Sequence, residues 1–295
     1  VIGQPTISGL SVAFDGSGST ASDGATITTY AWQFGDGSTS TDKAPSHTYG
    51  AGGTYTVTLT VTDDQSASGT ATQNVTVSTV SAQVLAADTF ARSVAKGWGS
   101  ADTGGAWSTA GSGTSFQVAG GVGQVTIATP GRSGTATLNA VSGSDIDAYV
   151  DMSPQQTVTG GGVYSSLMVR RASTTYYSAK IRVGADGSVL LYLTRTINGT
   201  ETNLAGMTVA GLTAGAGDVL RTHLQVTGSG PVSLAASVWK ASGTEPSAWQ
   251  LTTTDSSGSA VIGPGAVGLI AYLSGSATNA PATITYDNLL VSTKP

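Results

Sequence analysis

The chain has 295 residues, with 41 glycines, nine prolines and only 10 % charged residues, compared with about 25 % in typical soluble domains. It contains no cysteine, which excludes disulfides, cysteine-ligated zinc and thiol catalysis. The net charge of −5 argues against general nucleic-acid binding, which needs a basic surface, and no apolar run reaches the ~18 residues of a membrane helix. Bacterial secreted and surface proteins typically have such a composition.

Alternation of apolar and polar residues recurs along the chain, whereas helical periodicity is nearly absent. Clear examples are residues 54–63 (TYTVTLTVTD), 188–195 (SVLLYLTR) and 219–226 (VLRTHLQV). Clusters of Gly, Asn, Asp and Ser separate these runs, and Asn198-Gly199 predicts a hairpin turn. Short strands at this spacing predict an all-β protein.

The stretch AWQFGDG predicts a strand with Trp32 and Phe34 on one face, ended by a Gly-Asp-Gly turn. Two packed sheets need a bulky aromatic residue to fill the ~10 Å between them. Asp36 is expected to accept backbone N–H bonds within its own turn. We expect His47 and Tyr49, in the sequence PSHTY, to anchor the next corner. The stretch is therefore a folding signal.

Three motifs in order closely resemble a PKD (polycystic kidney disease) domain over about residues 5–79: the tryptophan strand with its turn, the His-x-Tyr corner, and the strand GTYTVTLTVTD. One departure is Gln33, where the family usually has Asp, and we expect it to face solvent. The resemblance implies an immunoglobulin-like, non-catalytic spacer. Some PKD domains carry Ca²⁺, but no EF-hand spacing occurs here, and turn formation is the favoured role of the aspartates concerned: Asp15, Asp23, Asp36, Asp63 and Asp64.

A composition shift near residues 73–90 predicts a boundary between two domains, with a first domain at 1–79, a linker at 80–85 and a second domain at 86–295. The second domain opens with DTFARSVAKGWGSADTGGAWS and closes with PATITYDNLLVS. These stretches resemble the concanavalin A/laminin-G-like jelly rolls of actinobacterial secreted proteins and phage minor tail proteins. The resemblance implies a larger jelly-roll β-sandwich and leaves function open, because such folds serve binders, enzymes and spacers alike.

The same resemblance implies that the first and last strands of the jelly roll lie side by side, which would bring Asp88 near Asp287. Jelly rolls of this kind often hold a structural Ca²⁺ at such a place. The alternative is that Asp88 caps a turn and Asp287 ends a strand. Trp98 and Trp107 are expected in the core rather than at a binding rim.

Alternation separates an apolar from a polar face in several predicted strands of the second domain. The polar faces carry Tyr, Arg, Lys, His and Trp, and we expect them to form one surface that binds sugars through aromatic stacking and paired hydrogen bonds. The alternative is an ordinary solvated face. Five of the twelve basic residues lie between Arg170 and Arg195, which is compatible with an anionic glycan. The predicted glycan-binding residues are Tyr164, Arg170, Tyr176, Lys180, Arg182, Arg221, His223, Gln225 and Trp239.

Carboxylate spacing argues against a glycosidase, because retaining enzymes need two carboxylates about 5–5.5 Å apart. The chain has only two glutamates, Glu201 and Glu245, and neither has such a partner. Asp145, Asp147 and Asp151 share a strand face, which an exposed edge strand explains.

A polysaccharide lyase would need Tyr or His as base and acid, with Arg or Gln neutralising a uronate. Arg221, His223 and Gln225, with Tyr164 or Tyr176, supply these residue types. The usual alginate-lyase strands, QIH and YFKAG, are missing.

We therefore predict an extracellular all-β protein, secreted or on a cell or virion surface, with an immunoglobulin-like PKD β-sandwich followed by a larger jelly roll. No signal peptide is visible, and we expect a mature form or a piece of a larger parent protein. The leading hypothesis is a non-catalytic carbohydrate-binding or adhesion module for a polysaccharide or cell-surface glycan, with no nucleic-acid partner and no membrane insertion. The alternatives are a structural virion component, such as a phage minor tail protein, or an adhesin subunit, and a lyase acting on a uronate polymer.

Overall fold

The computed structural model describes residues 1–22, 24–79 and 81–294. Within these ranges the regular structure is entirely β, and no helix there could cross a membrane. The all-β prediction is confirmed. The chain divides into two compact units, Val1–Ser81 and Ala82–Lys294. Val80, in the predicted linker, lies outside the described residues, and the first strand of the second unit begins at Val84, before the predicted domain start at residue 86.

The first unit is a sandwich of a three-stranded and a four-stranded antiparallel sheet, with strand orders β1-β2-β5 and β4-β3-β6-β7. Its strands are β1 (Thr6–Ser8), β2 (Ser11–Ala13), β3 (Ile27–Gln33), β4 (Thr39–Ser40), β5 (Ser46–Thr48), β6 (Gly53–Asp63) and β7 (Ser68–Val77).

The core of the first unit is built around Trp32, which is 1 % exposed and packs with Phe14 and Phe34. The Tyr49 hydroxyl donates to the Phe34 carbonyl at 3.1 Å, so the tyrosine fastens its corner to the tryptophan strand. Gln33 is exposed, as predicted. The aromatic motif is therefore a core motif.

The turn after the tryptophan strand is held by Asp36, which accepts the Ser38 backbone N–H at 3.0 Å and lies 2.7 Å from Nε2 of His47. Hydrogen bonding, above all from the Ser38 hydroxyl, lowers the pKa of Asp36 to about 2. Gly35 has φ = +85°, and a Cβ there would lie 2.7 Å from the Thr56 carbonyl oxygen, so only glycine fits.

The other described aspartates of the predicted metal set accept backbone N–H bonds. Asp15 accepts the Ser17 N–H and Asp63 accepts two N–H groups of its own loop, so both form turns as expected. Asp64 accepts the Thr26 N–H and thus ties two segments that are 38 residues apart. Asp23 lies outside the described residues.

The second unit is a jelly-roll β-sandwich of an eight-stranded and a seven-stranded antiparallel sheet. The eight-stranded sheet has the order β10-β11-β22-β13-β18-β19-β20, with β8 also paired to β22, and the seven-stranded sheet has the order β17-β16-β15-β14-β21-β12-β9. The strands are β8 (Val84–Asp88), β9 (Ser108–Ala110), β10 (Thr114–Ala119), β11 (Val122–Ile127), β12 (Ser133–Gly143), β13 (Ile146–Pro154), β14 (Val163–Ala172), β15 (Thr175–Val183), β16 (Ser188–Ile197), β17 (Thr200–Thr213), β18 (Leu220–Thr227), β19 (Val232–Lys240), β20 (Leu251–Asp255), β21 (Gly265–Leu273) and β22 (Ala282–Thr293).

The core of the second unit lies between the inner faces of these two sheets, where the inward-facing apolar residues of most strands are buried. Trp98 and Trp107 are core residues, as predicted. Asn198 and Gly199 both have positive φ and join β16 to β17, which confirms the predicted hairpin. The alternation in the sequence therefore assigned the inner and outer faces of most strands correctly, with Arg170 of β14 as an exception.

One end of this sandwich holds a buried polar network centred on Asp255. Its carboxylate accepts bonds from the Tyr177 hydroxyl at 2.7 Å, from the Ser257 hydroxyl at 2.6 Å and from Arg195 at 2.9 and 3.0 Å. Burial opposes ionisation of Asp255, but these bonds outweigh it and lower its pKa to about 2. The network ties β15, β16 and β20 together.

Candidate functional site

The predicted glycan-binding residues do not form one surface. The outer face of the seven-stranded sheet carries four of them: Tyr164, Tyr176, Lys180 and Arg182. Apart from Arg170, the others lie on β18 and β19, which belong to the eight-stranded sheet. The expectation of a single surface is wrong. Alternation determines which residues of a strand share a face, but not which sheet the strand joins.

On the seven-stranded sheet, paired residues form two adjacent rows across the strands. One row runs Tyr272–Tyr164–Arg182 and the next runs Ile270–Ser166–Lys180–Tyr192. Neighbouring strands are about 4.8 Å apart, so these side chains stand side by side. They form a groove of about 400 Å³, here called the tyrosine groove, lined by Ser133, Tyr164, Ser166, Lys180, Glu201, Ile270 and Tyr272.

The groove combines aromatic rings with cations. The ring centroids of Tyr164 and Tyr272 are 5.5 Å apart. Lys180 Nζ lies 5.2 Å from the Tyr192 ring centre, and Arg182 Cζ lies 5.8 Å from that of Tyr164. Such cation–π contacts hold both the rings and the cations in place.

Polar contacts fix the two cations further. Lys180 forms an ion pair with Glu201 of β17, and Arg182 Nε donates to the Gly161 carbonyl at 2.8 Å. Tyr192 lies flat on β17 because its partner is Gly206, where a Cβ would come within 2.6 Å of the ring. The groove is therefore preorganised by its neighbours.

Beside the groove, the same face is lined by small buried hydroxyl groups. The hydroxyls of Ser178 and Thr194 lie 2.7 Å apart, and Thr196 Oγ1 is buried without a hydrogen-bond partner among the described residues. Tyr176 pairs with Thr196 and is half-buried, so it extends this face beyond the groove.

Arg170 is not on the groove surface, contrary to expectation. It is fully buried and lies at a bulge in β14, with φ = +53°. Its guanidinium donates to the carbonyls of Ser144, Val261 and Gly228, and Nη2 lies 3.3 Å from Oδ1 of Asp145. A side chain used in this way cannot contact a glycan.

On the outer face of the eight-stranded sheet, His223 is 6 % exposed and stacks on Tyr149 at 3.8 Å, with Trp249 at 4.4 Å. Its Nδ1 lies 2.5 Å from Glu245 and its Nε2 lies 2.9 Å from Asp147. Both ring nitrogens are therefore occupied by carboxylates. The structure does not bring His223 within reach of Tyr164 or Tyr176, which the lyase hypothesis requires.

The other predicted residues of this face are also engaged. Arg221 makes two bonds of 2.6 and 2.7 Å to Asp151, and Gln225 donates to Asp147 at 3.0 Å. Burial raises the pKa of Asp147, but the bonds from His223 and Gln225 outweigh it and the net shift is downward. Trp239 is only 8 % exposed and pairs with Arg221. These residues stabilise one another.

Asp147 and Asp151 lie on β13, between β22 and β18 at the middle of the sheet, so the edge-strand explanation is wrong. Asp151 stands opposite Asp287, and both line a cleft of about 560 Å³. Burial, together with the negative charges of Asp151 and Asp88, raises the pKa of Asp287.

Asp88 does not fit a calcium site. Its carboxylate accepts two bonds from Arg92 at 2.6 and 2.7 Å, one from Trp107 Nε1 at 2.7 Å and one from the Phe90 N–H at 2.9 Å. A guanidinium thus takes the place a cation would need. Asp88 and Asp287 flank the pairing of β8 with β22, but no cluster of three or more metal-binding side chains occurs among the described residues.

Sequence reasoning missed several residues that shape these faces. Tyr272 lines the tyrosine groove, Tyr192 contacts Lys180 beside it, Glu201 pairs with Lys180, and Tyr149 and Trp249 enclose His223. Tyr192 and Tyr272 follow the same alternation as their strands, which is the one signal that would have placed them on an outer face.

Two solved structures resemble this chain at low identity. The carbohydrate-binding module CBM66 from Bacillus subtilis is 17 % identical, covers 63 % of this chain and 95 % of its own, and has a TM-score of 0.45. A Bacillus licheniformis beta-glucanase is 14 % identical, covers 64 % and 92 %, and has the same TM-score. Likenesses this distant carry no argument about ligand or activity.

The first unit has much closer relatives. A family model described as "PKD domain" matches residues 2–77. A microbial collagenase of Vibrio alginolyticus is 46 % identical over 70 residues, which is 24 % of this chain and only 8 % of that protein. The match thus leaves out nearly all of the relative, and with it the relative's activity. Together with the tryptophan core and the Tyr49 corner described above, it identifies the N-terminal unit of this chain as a PKD domain.

Proposed function

We propose that the second unit is a non-catalytic carbohydrate-binding module of an extracellular protein, that the tyrosine groove holds the glycan, and that the PKD domain acts as a spacer. The observation that carries the proposal is the row Tyr272–Tyr164–Arg182 beside the Lys180–Glu201 pair. Together these residues present half-buried rings and fixed polar groups on one sheet face.

The groove has the chemistry that sugars need. Aromatic rings stack on the C–H faces of pyranoses, and Tyr164 and Tyr272 are both half-buried rather than enclosed. Lys180 and Glu201 place a donor and an acceptor side by side, as neighbouring sugar hydroxyls require. The volume of about 400 Å³ lies within the ~300–1,000 Å³ of small-ligand sites.

The residues of the groove favour binding over catalysis. Glu201 is the only carboxylate among its described lining residues, and it is paired with Lys180, whereas a glycosidase needs two carboxylates. On the other sheet, His223 has both nitrogens bound to carboxylates, so this histidine is not free to act as the base of a lyase. The virion and adhesin hypotheses stay predictions.

A glycan array probed with the full chain tests the proposal. Tyr164→Ala and Tyr272→Ala should each weaken binding at least about tenfold, because each removes a stacking surface. The control is Gln225→Ala on the opposite sheet, which should bind like the wild type although loss of its bond to Asp147 lowers the melting temperature slightly. The proposal fails if the folded chain binds no glycan, or if Gln225→Ala abolishes binding while Tyr164→Ala does not.

A further inference from the structure

We infer that the glycan held in the tyrosine groove contains uronic acid and that Arg182 binds its carboxylate. This inference rests on the proposed function and names the ligand class of the same groove. It depends on one side chain whose hydrogen-bonding capacity is only partly used, and on the distribution of charge between the two outer faces.

Arg182 is held in place without an ion pair, although hydrogen bonding by the Ser188 hydroxyl and, to a lesser degree, the charge of Arg182 lower the pKa of nearby Asp186. Its Nε donates to the Gly161 carbonyl at 2.8 Å and its Cζ lies 5.8 Å from the Tyr164 ring centre, so the plane of the guanidinium is set. Among the described residues, neither terminal nitrogen of Arg182 has a hydrogen-bond or ion-pair partner. A guanidinium fixed in this way retains the paired N–H donors that match a planar carboxylate.

Several other arginines differ from Arg182 in the partners of their terminal nitrogens. Four of them direct a terminal nitrogen to an aspartate of the chain itself: Arg92 to Asp88, Arg170 to Asp145, Arg195 to Asp255 and Arg221 to Asp151. These pairs stabilise the fold. Arg182 is similarly positioned beside a strand partner, but that partner is the ring of Tyr164. Any carboxylate bound by its terminal nitrogens would therefore come from outside the described residues.

Charge also separates between the two faces, although the chain as a whole carries −5. Around the groove stand Lys180 and Arg182 against Glu201, with Asp186 in the adjoining turn engaged by Ser188. The opposite outer face carries more acids than bases: Asp147, Asp151, Asp218, Glu245 and Asp287, against Arg221, Lys240, Lys294 and His223. The charges named around the groove balance, so an anionic polymer meets less repulsion there than on the opposite face.

The spacing suits a sugar acid. Tyr164 and Arg182 are direct cross-strand partners, and such partners have Cβ atoms about 4.5–5.5 Å apart. A pyranose stacked on Tyr164 therefore places the substituents at its ring edge beside the guanidinium. A carboxylate there receives two charge-assisted hydrogen bonds, while Lys180 and Glu201 contact hydroxyls of the next unit.

Calorimetric titration of the full chain with hexamers of galacturonate, mannuronate and glucuronate, each compared with its methyl ester, tests the inference. The ester keeps the sugar and removes the negative charge. We expect at least one acid to bind about tenfold or more tightly than its ester. Arg182→Gln should bring the acid-to-ester ratio of affinities close to one. Arg182→Lys should restore part of the ratio, because ammonium keeps the charge but not the paired geometry.

Arg171→Gln is the matched control, because it removes the same charge from the end of the neighbouring strand β14, where Arg171 bonds only to Asn139. It should keep the acid-to-ester ratio of the wild type. Equal binding of acid and ester, a ratio unaffected by Arg182→Gln, or binding of neutral glycans alone would each overturn the inference and leave the proposed function standing. A folded chain that binds neither acidic nor neutral glycans would overturn both.

Discussion

The substitution Arg170→Met tests whether Arg170 stabilises the fold or binds a ligand. Met has a similar length and no charge, so it fills much of the space but donates no hydrogen bonds. In the wild type the buried guanidinium satisfies three carbonyl groups, those of Ser144, Gly228 and Val261. Arg170→Met leaves these carbonyls without that donor at one end of the sandwich.

The expected loss follows from those groups. An unsatisfied buried acceptor costs about 1–3 kcal/mol, so three carbonyls without a donor cost about 3–9 kcal/mol. Burying one charge fewer offsets part of that cost. We therefore expect the second unit to lose about 4 kcal/mol, which lowers the melting temperature of a unit of this size by roughly 8–16 °C.

The assay is differential scanning calorimetry of the full chain, with Arg171→Met as the control. Arg171 adjoins Arg170 but is only partly buried and bonds only to Asn139, so its variant should melt within about 3 °C of the wild type. A loss below about 1 kcal/mol for Arg170→Met, or one equal to that of the control, would refute the reasoning. So would an unchanged melting temperature combined with lost glycan binding.

Three further changes test other parts of the molecule. Trp32→Ala should cost the PKD unit about 3–5 kcal/mol in urea unfolding, with the transition of the second unit unmoved; a joint shift would contradict this. The Asp255 carboxylate, whose pKa is lowered from 3.8 to about 2, contributes about 2 kcal/mol of stability above pH 4, and this is lost as the pH falls to 2. Urea unfolding across that pH range should show the loss in the wild type, and Asp255→Asn should show a weaker dependence of the unfolding free energy on pH. An equal pH dependence in both proteins would contradict the role of Asp255. Gly206→Ala should weaken glycan binding severalfold, because the displaced Tyr192 ring no longer holds Lys180, which lines the groove, and an unchanged affinity would argue against the role of Lys180.

Local pattern was enough to predict much of the fold. The alternation in β15 correctly set Ile181 inward and Lys180 outward, and the PKD motif predicted the buried Trp32 and the Tyr49 corner. These features depend on residues close together in the chain, where strand period and turn chemistry act directly. For the candidate site, the same pattern placed Tyr164, Lys180 and Arg182 on one outer face of the sandwich.

The rest of the site depends on pairings between distant segments. Tyr272 reaches Tyr164 because β21 lies beside β14, and nothing in either strand alone specifies that neighbour. The partners of charged side chains also come from distant segments. Asp151 accepts a hydrogen bond from Arg221 of another strand, so a basic residue without a partner nearby in the sequence is neutralised in the fold.

Arg170 and Arg182 show what the sequence and the tertiary structure each determine. In sequence both are basic residues on the polar face of an alternating strand, and that alternation by itself determined an all-β chain with a polar outer face. A bulge in β14 then directs the Arg170 side chain into the interior at one end of the sandwich. One extra residue in a strand reverses the face on which the next side chain lies. Arg182 lies in unbroken register and remains at the groove. Tertiary pairing alone therefore decided which arginine stabilises the fold and which can meet a ligand.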